Sequence, residues 1–133
     1  MNIGVDIGGT HILAVLMDSN CKAVKRRCRK EVSIEKRQEQ QYIIELIVEA
    51  ITDVLPDEED ASKKDGAPSS SPSSSSSSKK RKHASFDGAG RLEGIGFAVP
   101  GNVDPINGTT RYLPNFGWLE PVDLKKLVLE GLH

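Results

Sequence analysis

The first seventeen residues limit this chain's options more than any other stretch. Ile3, Val5 and Ile7 alternate with small or polar residues, Gly8-Gly9 follows, and Ile12 to Met17 is an unbroken apolar run. A period-two segment, two glycines and a second apolar segment predict two strands joined by a tight turn. The second strand, largely buried, ends at the turn formers Asp18-Ser19-Asn20. Residues 22–33 are charged with scattered Val and Cys, which predicts a third strand at a sheet edge, where lysines and arginines discourage pairing with another edge.

A helix is predicted next, from about Glu35 to Leu55, with Ser33 as its N-cap and Pro56 as its stop. Ile43, Ile47, Ala50 and Val54 recur at helical spacing, with Ile44, Val48 and Ile51 beside them, so the helix carries a broad stripe that needs a sheet to cover. Composition then changes over residues 56–91. Acidic residues lead into Ser69 to Ser78, broken only by Pro72, and then into Lys79-Lys80-Arg81-Lys82. Such a stretch buries too little apolar surface to offset the entropy of ordering, so 56–91 reads as a disordered Ser/Lys-rich insertion. Leu92 to Val99 predicts a central strand running into Pro100-Gly101. Residues 102–118 read as a loop with a short hairpin, and 121–130 as a short helix opening on Pro121. The ordered part, 1–55 and 92–133, is an α/β domain.

Composition removes several classes of function. The 133 residues have a formal net charge of −1, so no chain-wide basic field points to nucleic acid. No run of eighteen apolar residues predicts a membrane span. The opening apolar stretch is broken by Asp6 and by glycines, and it lacks the basic leader of a secretory signal. Cys21 and Cys28 have no partner Cys or His pair at metal-ligand spacing and read as free thiols of a cytoplasmic protein. Asn107-Gly108-Thr109 reads as a turn. Lys79 to Lys82 reads either as a nuclear import signal or as a solvated charge run that keeps the insertion soluble.

Three short segments carry chemistry. In Asp6-Ile7-Gly8-Gly9-Thr10, glycines that allow positive φ and bring no Cβ let the backbone approach a polyphosphate. The turn amides are then anion donors and the Thr10 hydroxyl adds another. Asp6 can hold a Mg²⁺ ion through water. The plain alternative is a hairpin in which Gly8-Gly9 only makes the turn. No GxxxxGK[ST] occurs, so this is not a Walker loop. In Gly94 to Asp104, a buried strand delivers Pro100-Gly101 to the end of a sheet where ligands of α/β folds bind. Gly101 can present backbone to a sugar ring and Asn102 an amide. In Leu113-Pro114-Asn115-Phe116-Gly117-Trp118, Asn115 can pair with two hydroxyls, and Phe116 or Trp118 can supply an apolar wall. Asn102 and Asn115 are also ordinary turn residues, and Trp118 an ordinary core residue.

Taken in order, DIGGT, GIGFAVPGNVD, and PNFGW followed by VDL resemble the ROK family of repressors and sugar kinases, over residues 2–19 and 92–130. The resemblance implies the N-terminal lobe of the actin/hexokinase-like ATPase (ribonuclease H-like) fold, a mixed sheet with flanking helices. It implies a glucokinase-like hexose kinase, with ATP and Mg²⁺ at Asp6, Gly8, Gly9 and Thr10, and a hexose at Gly101, Asn102 and Asn115. His11 stands where the family commonly has Lys or Asn. The family's Asn-Asp pair with its general base, its His- and Cys-based zinc motif and its C-terminal lobe have no counterpart in this sequence. The expectation is therefore a truncated lobe without sugar kinase activity, its helix stripe only partly covered. A non-catalytic sugar- or nucleotide-binding module, or a non-functional fragment, is the alternative. No helix-turn-helix precedes DIGGT, which argues against a DNA-binding repressor.

Overall fold

The computed structural model describes residues 1–56 and 91–133. The disorder expected of 56–91 and the Lys79 to Lys82 cluster fall, apart from Pro56 and Arg91, outside the described residues. Strands β1 (Asn2–Ile7) and β2 (His11–Met17) form the antiparallel hairpin, with Ile7 opposite Ile12. β3 (Val24–Glu31) pairs antiparallel with β2, and β4 (Gly94–Ala98) pairs parallel with β1. The sheet order is β3-β2-β1-β4, so the sheet is mixed and the charged strand lies at an edge as expected.

Alternation in β1 and β2 turns Ile3, Val5, Ile7, Ile12, Ala14 and Leu16 to one face, where all are buried. Helix α1 (Gln40–Val54) covers that face with Ile43, Ile47, Ala50, Ile51 and Val54, each fully buried. The expectation of a half-covered helix stripe is thus overturned. The stripe meets the sheet on one side and a second helix on the other. Incomplete cover falls instead on β4, where Ile95, Phe97 and neighbouring Val99 are only partly buried. These three residues line a groove of about 290 Å³ against the second sheet.

That sheet is three short antiparallel strands, β5 (Asn102–Asp104), β6 (Thr109–Tyr112) and β7 (Val122–Asp123), in the order β5-β6-β7. Helix α2 (Leu124–Leu132) follows and packs on α1 and β6.

Two helix boundaries and one strand placement differ from the sequence reading. α1 begins at Gln40 rather than Glu35: Glu39 stands at its N-cap, while Ser33 accepts the Lys36 amide on its carbonyl at 3.1 Å and donates its own amide to the Tyr42 hydroxyl at 3.0 Å. Residues 34–38 form turns whose Gln38 carbonyl accepts from Trp118 Nε1 at 3.2 Å. α2 begins three residues after Pro121, capped by the Asp123 carboxylate on the Lys126 amide at 3.0 Å. Strand β4, expected to be central, has one neighbour among the described residues.

The segment 57–90 leaves and rejoins the fold at one end of the large sheet. Its first root, Leu55, is held by Arg26 Nη1 on the Leu55 carbonyl at 2.8 Å. Its second root is fixed where the Met1 ammonium reaches the Arg91 carbonyl at 2.8 Å and the Glu93 amide reaches the Met1 carbonyl at 2.7 Å. The roots are three strand spacings apart, each about 4.8 Å, plus the reach of one arginine. A linker of about eight residues spans that gap. Replacing 57–90 by such a Gly/Ser linker is expected to leave the melting temperature unchanged or a few degrees higher. Two halvings of a flexible loop lower its closure cost by roughly 1 kcal/mol. A melting temperature about 5 °C lower, read by circular dichroism, would show that the segment packs on the domain.

Candidate functional site

The parallel strands β1 and β4 end together, at Ile7 and Ala98, and three loops meet beyond them. The first is the β1–β2 turn, closed by the Gly8 amide on the His11 carbonyl at 2.9 Å. The Gly9 and Thr10 amides bond no other described residue and remain available as donors. The glycines do not serve here by positive φ: among the described residues that conformation occurs at Cys21, Gly101, Gly108 and Gly117, not at Gly8 or Gly9. What the turn requires is space. A Cβ on Gly8 would stand 2.9 Å from the His11 carbonyl oxygen, and one on Gly9 would stand 3.4 Å from Asn115 Cβ.

The second loop, Leu113 to Trp118, is pinched shut by paired bonds, the Leu113 amide to the Trp118 carbonyl at 3.0 Å and the return bond at 3.1 Å. Pro114–Phe116 make one 3-10 turn, ended by Gly117 in the left-handed region. Phe116 and Trp118 do not form the apolar wall expected beside a ligand. Both are buried, their ring centroids 5.3 Å apart, and they root the loop in the core. Asn115, just before Phe116 and exposed, is carried over Gly9.

The third loop is Pro100 to Asn102. Gly101 has φ 155°, and a Cβ there would run into the Tyr112 carbonyl oxygen and stand 2.6 Å from Leu113 Cδ2. Glycine at 101 thus lets the end of β4 press against the strand from which the Asn115 loop springs. Asn102 is exposed and its backbone pairs with Tyr112.

Asp6 lies on the sheet face turned away from α1, in register with Leu13. Its carboxylate is exposed and bonds no other described residue. It stands at the rim of a shallow groove of about 740 Å³ that runs along Gly4, Val15, Met17 and Gly96. Two other aspartates are committed. Asp104 accepts from the Ile106 amide at 3.0 Å and from Asn107 Nδ2 at 2.9 Å, and these bonds hold its carboxyl below the usual range. Asp53 takes Lys30 Nζ at 2.7 Å. The Cys28 thiol is pushed up by burial first and by its Asp53 contact second. Both cysteines are free.

The structure therefore brings Asp6, Gly8, Gly9, Thr10 and Asn115 to one place and sets Gly101 and Asn102 beside it on the strand that supports Asn115. Two free amides, a hydroxyl and an unengaged carboxylate make a donor set that fits a Mg²⁺–polyphosphate. No cluster of three or more His, Cys, Asp or Glu side chains occurs among the described residues. None of their helices is long and apolar enough to cross a membrane. One residue of the site was undervalued in the sequence: His11, whose Nδ1 lies 3.1 Å from Thr10 Oγ1. An imidazole directly after a hydroxyl at a suspected phosphate turn was the signal. No protein-family model matches the chain, and no curated protein matches it as a relative.

Proposed function

We propose that this chain is the nucleotide- and sugar-binding lobe of a ROK-type hexose kinase, built on the actin/hexokinase-like ATPase fold. The observation that carries the reading is the nearness of Asn115 to Gly9, where an added Cβ would stand 3.4 Å from Asn115 Cβ; it joins two motifs more than a hundred residues apart beyond the ends of the parallel strands β1 and β4. A turn that served only to reverse the chain would not need to sit beneath a polar side chain that has no hydrogen-bond partner among the described residues. In this reading the Gly9 and Thr10 amides and the Thr10 hydroxyl hold the phosphates of ATP, and Asp6 orients the water shell of Mg²⁺. The bound Mg²⁺ supplies neutralisation of phosphate charge. Asn115 and Asn102 offer side-chain amides to hexose hydroxyls, and Gly101 offers backbone. Proximity is the lobe's contribution, since it places a sugar site against a phosphate site.

Titration calorimetry tests this on the whole chain. Mg·ATP is expected to bind saturably, and Asp6→Ala to weaken it by about tenfold, or ~1.4 kcal/mol. Asn115→Ala is expected to weaken glucose by about fivefold, the net worth of one or two lost hydrogen bonds, while leaving Mg·ATP near the wild-type value. Absence of ATP binding, or ATP affinity indifferent to Asp6→Ala, would remove the nucleotide assignment.

A further inference from the structure

We infer that His11 is a positioning residue whose proton sets the polarity of the Thr10 hydroxyl, so that phosphate binding at the turn strengthens as pH falls. The inference rests on the phosphate reading of the β1–β2 turn. Nδ1 of His11 and Oγ1 of Thr10 are 3.1 Å apart, a hydrogen bond whose direction depends on where the imidazole proton lies. When Nδ1 is bare, it accepts the Thr10 hydroxyl hydrogen, and Oγ1 turns its lone pairs outward. A phosphate oxygen then meets an acceptor. When both ring nitrogens are protonated, Nδ1–H donates to Oγ1, and the hydroxyl hydrogen is released to point at the phosphate. A neutral ring reaches the donating arrangement only as its Nδ1–H tautomer, so neutralisation weakens the site without abolishing it. Imidazole is the side chain that changes charge between pH 5 and 8.

The charged groups that face His11 from the described elements are few. On β3, Glu31 is in register with His11 and is bonded to Arg29 at 3.0 Å. On β1, Asp6 shares the same sheet face. Strand β2 has no other titratable side chain, and neither has the Leu113 to Trp118 loop over Gly9. The segment after β3 reaches the turn through the Val32 amide on the Thr10 carbonyl at 2.9 Å, and its Lys36 ammonium lies over the Tyr42 ring.

Calorimetry with Mg·ATP at pH 5.5, 6.5 and 8.0 tests the inference on wild type, His11→Asn and Thr10→Val. Wild type is expected to bind roughly five- to tenfold more weakly at pH 8.0 than at 5.5, the difference between a charge-assisted arrangement and a neutral one. His11→Asn, whose side-chain amide donates to Oγ1 without titrating, is expected to lose that dependence and keep the tighter affinity. Thr10→Val is expected to be weak at every pH. Titration of ATP itself is common to all three proteins and cancels in their ratios. Repeating the measurement near pH 7 in buffers of different ionisation enthalpy is expected to show proton uptake on binding by wild type and none by His11→Asn. If His11→Asn binds ATP with the wild-type pH profile and proton uptake, the inference is wrong while the phosphate site stands. If no protein binds ATP at any pH, both fall together.

Discussion

Phe116→Ala is expected to lower the unfolding free energy by about 3–5 kcal/mol, the usual cost of deleting a fully buried aromatic ring. For a domain with a total stability of about 5–15 kcal/mol, that loss brings much of the population to the edge of unfolding. Phe116 has no exposed surface, lies against Trp118, and donates its amide to the Leu113 carbonyl at 3.2 Å. Trp118 in turn holds the 34–38 turns through Gln38. Removing the ring opens a cavity under the loop that aims Asn115, so the ligand site loses its support along with the core. Phe116→Leu keeps most of the volume and is expected to cost less than half as much. Urea unfolding of both variants reads the difference. A Phe116→Ala protein as stable as Phe116→Leu would mean that the ring does not root the loop.

Gly9→Val is expected to abolish measurable Mg·ATP binding, a loss of at least about a hundredfold or ~2.7 kcal/mol, with little change in melting temperature. The turn is at the surface, and its φ is open to other residues, so folding tolerates the change. A single Cβ at this position already reaches ordinary contact with Asn115, and the two further methyls of valine must enter the space between turn and loop. There they cover the Gly9 and Thr10 amides and displace Asn115. Gly9→Ala is expected to fall between wild type and valine. Because stability and binding separate in this pair, wild-type affinity in the valine variant would show that phosphate is held elsewhere.

How far the sequence disclosed this molecule depended on the range of the interactions at each point. The β1–β2 hairpin and the buried stripe of α1 were legible because alternation and 3.6-residue spacing are local consequences of facing one core. The start of α1 was not. Ser33 looks like a cap, but its carbonyl opens the turns at 34–38, and these are tied to Trp118, eighty residues from Gln38. Pro121 suggested the first turn of α2, yet Asp123 caps it, because Thr110 and Val122 pair first and hold Pro121 outside the helix. In the site, residue types were legible and their reasons less so. Gly8 and Gly9 were credited with positive φ and with bringing no Cβ, and the structure uses only the second. Phe116 and Trp118 were offered as a ligand wall and are foundation instead. An aromatic pair that follows an exposed Asn does not itself say which way the rings point.

The placement of the roots at Pro56 and Arg91 has an electrical consequence. They lie at the opposite end of the large sheet from the Gly8-Gly9 turn, separated by the six residues of β1, or about 20 Å. At physiological ionic strength the Debye length is about 8 Å, so a charge placed at either root is attenuated by more than two such lengths before it reaches the turn. The length of one strand thus shields the Gly8-Gly9 turn from ionic change at the roots. Substitutions that alter charge there should register in solubility and leave nucleotide affinity alone.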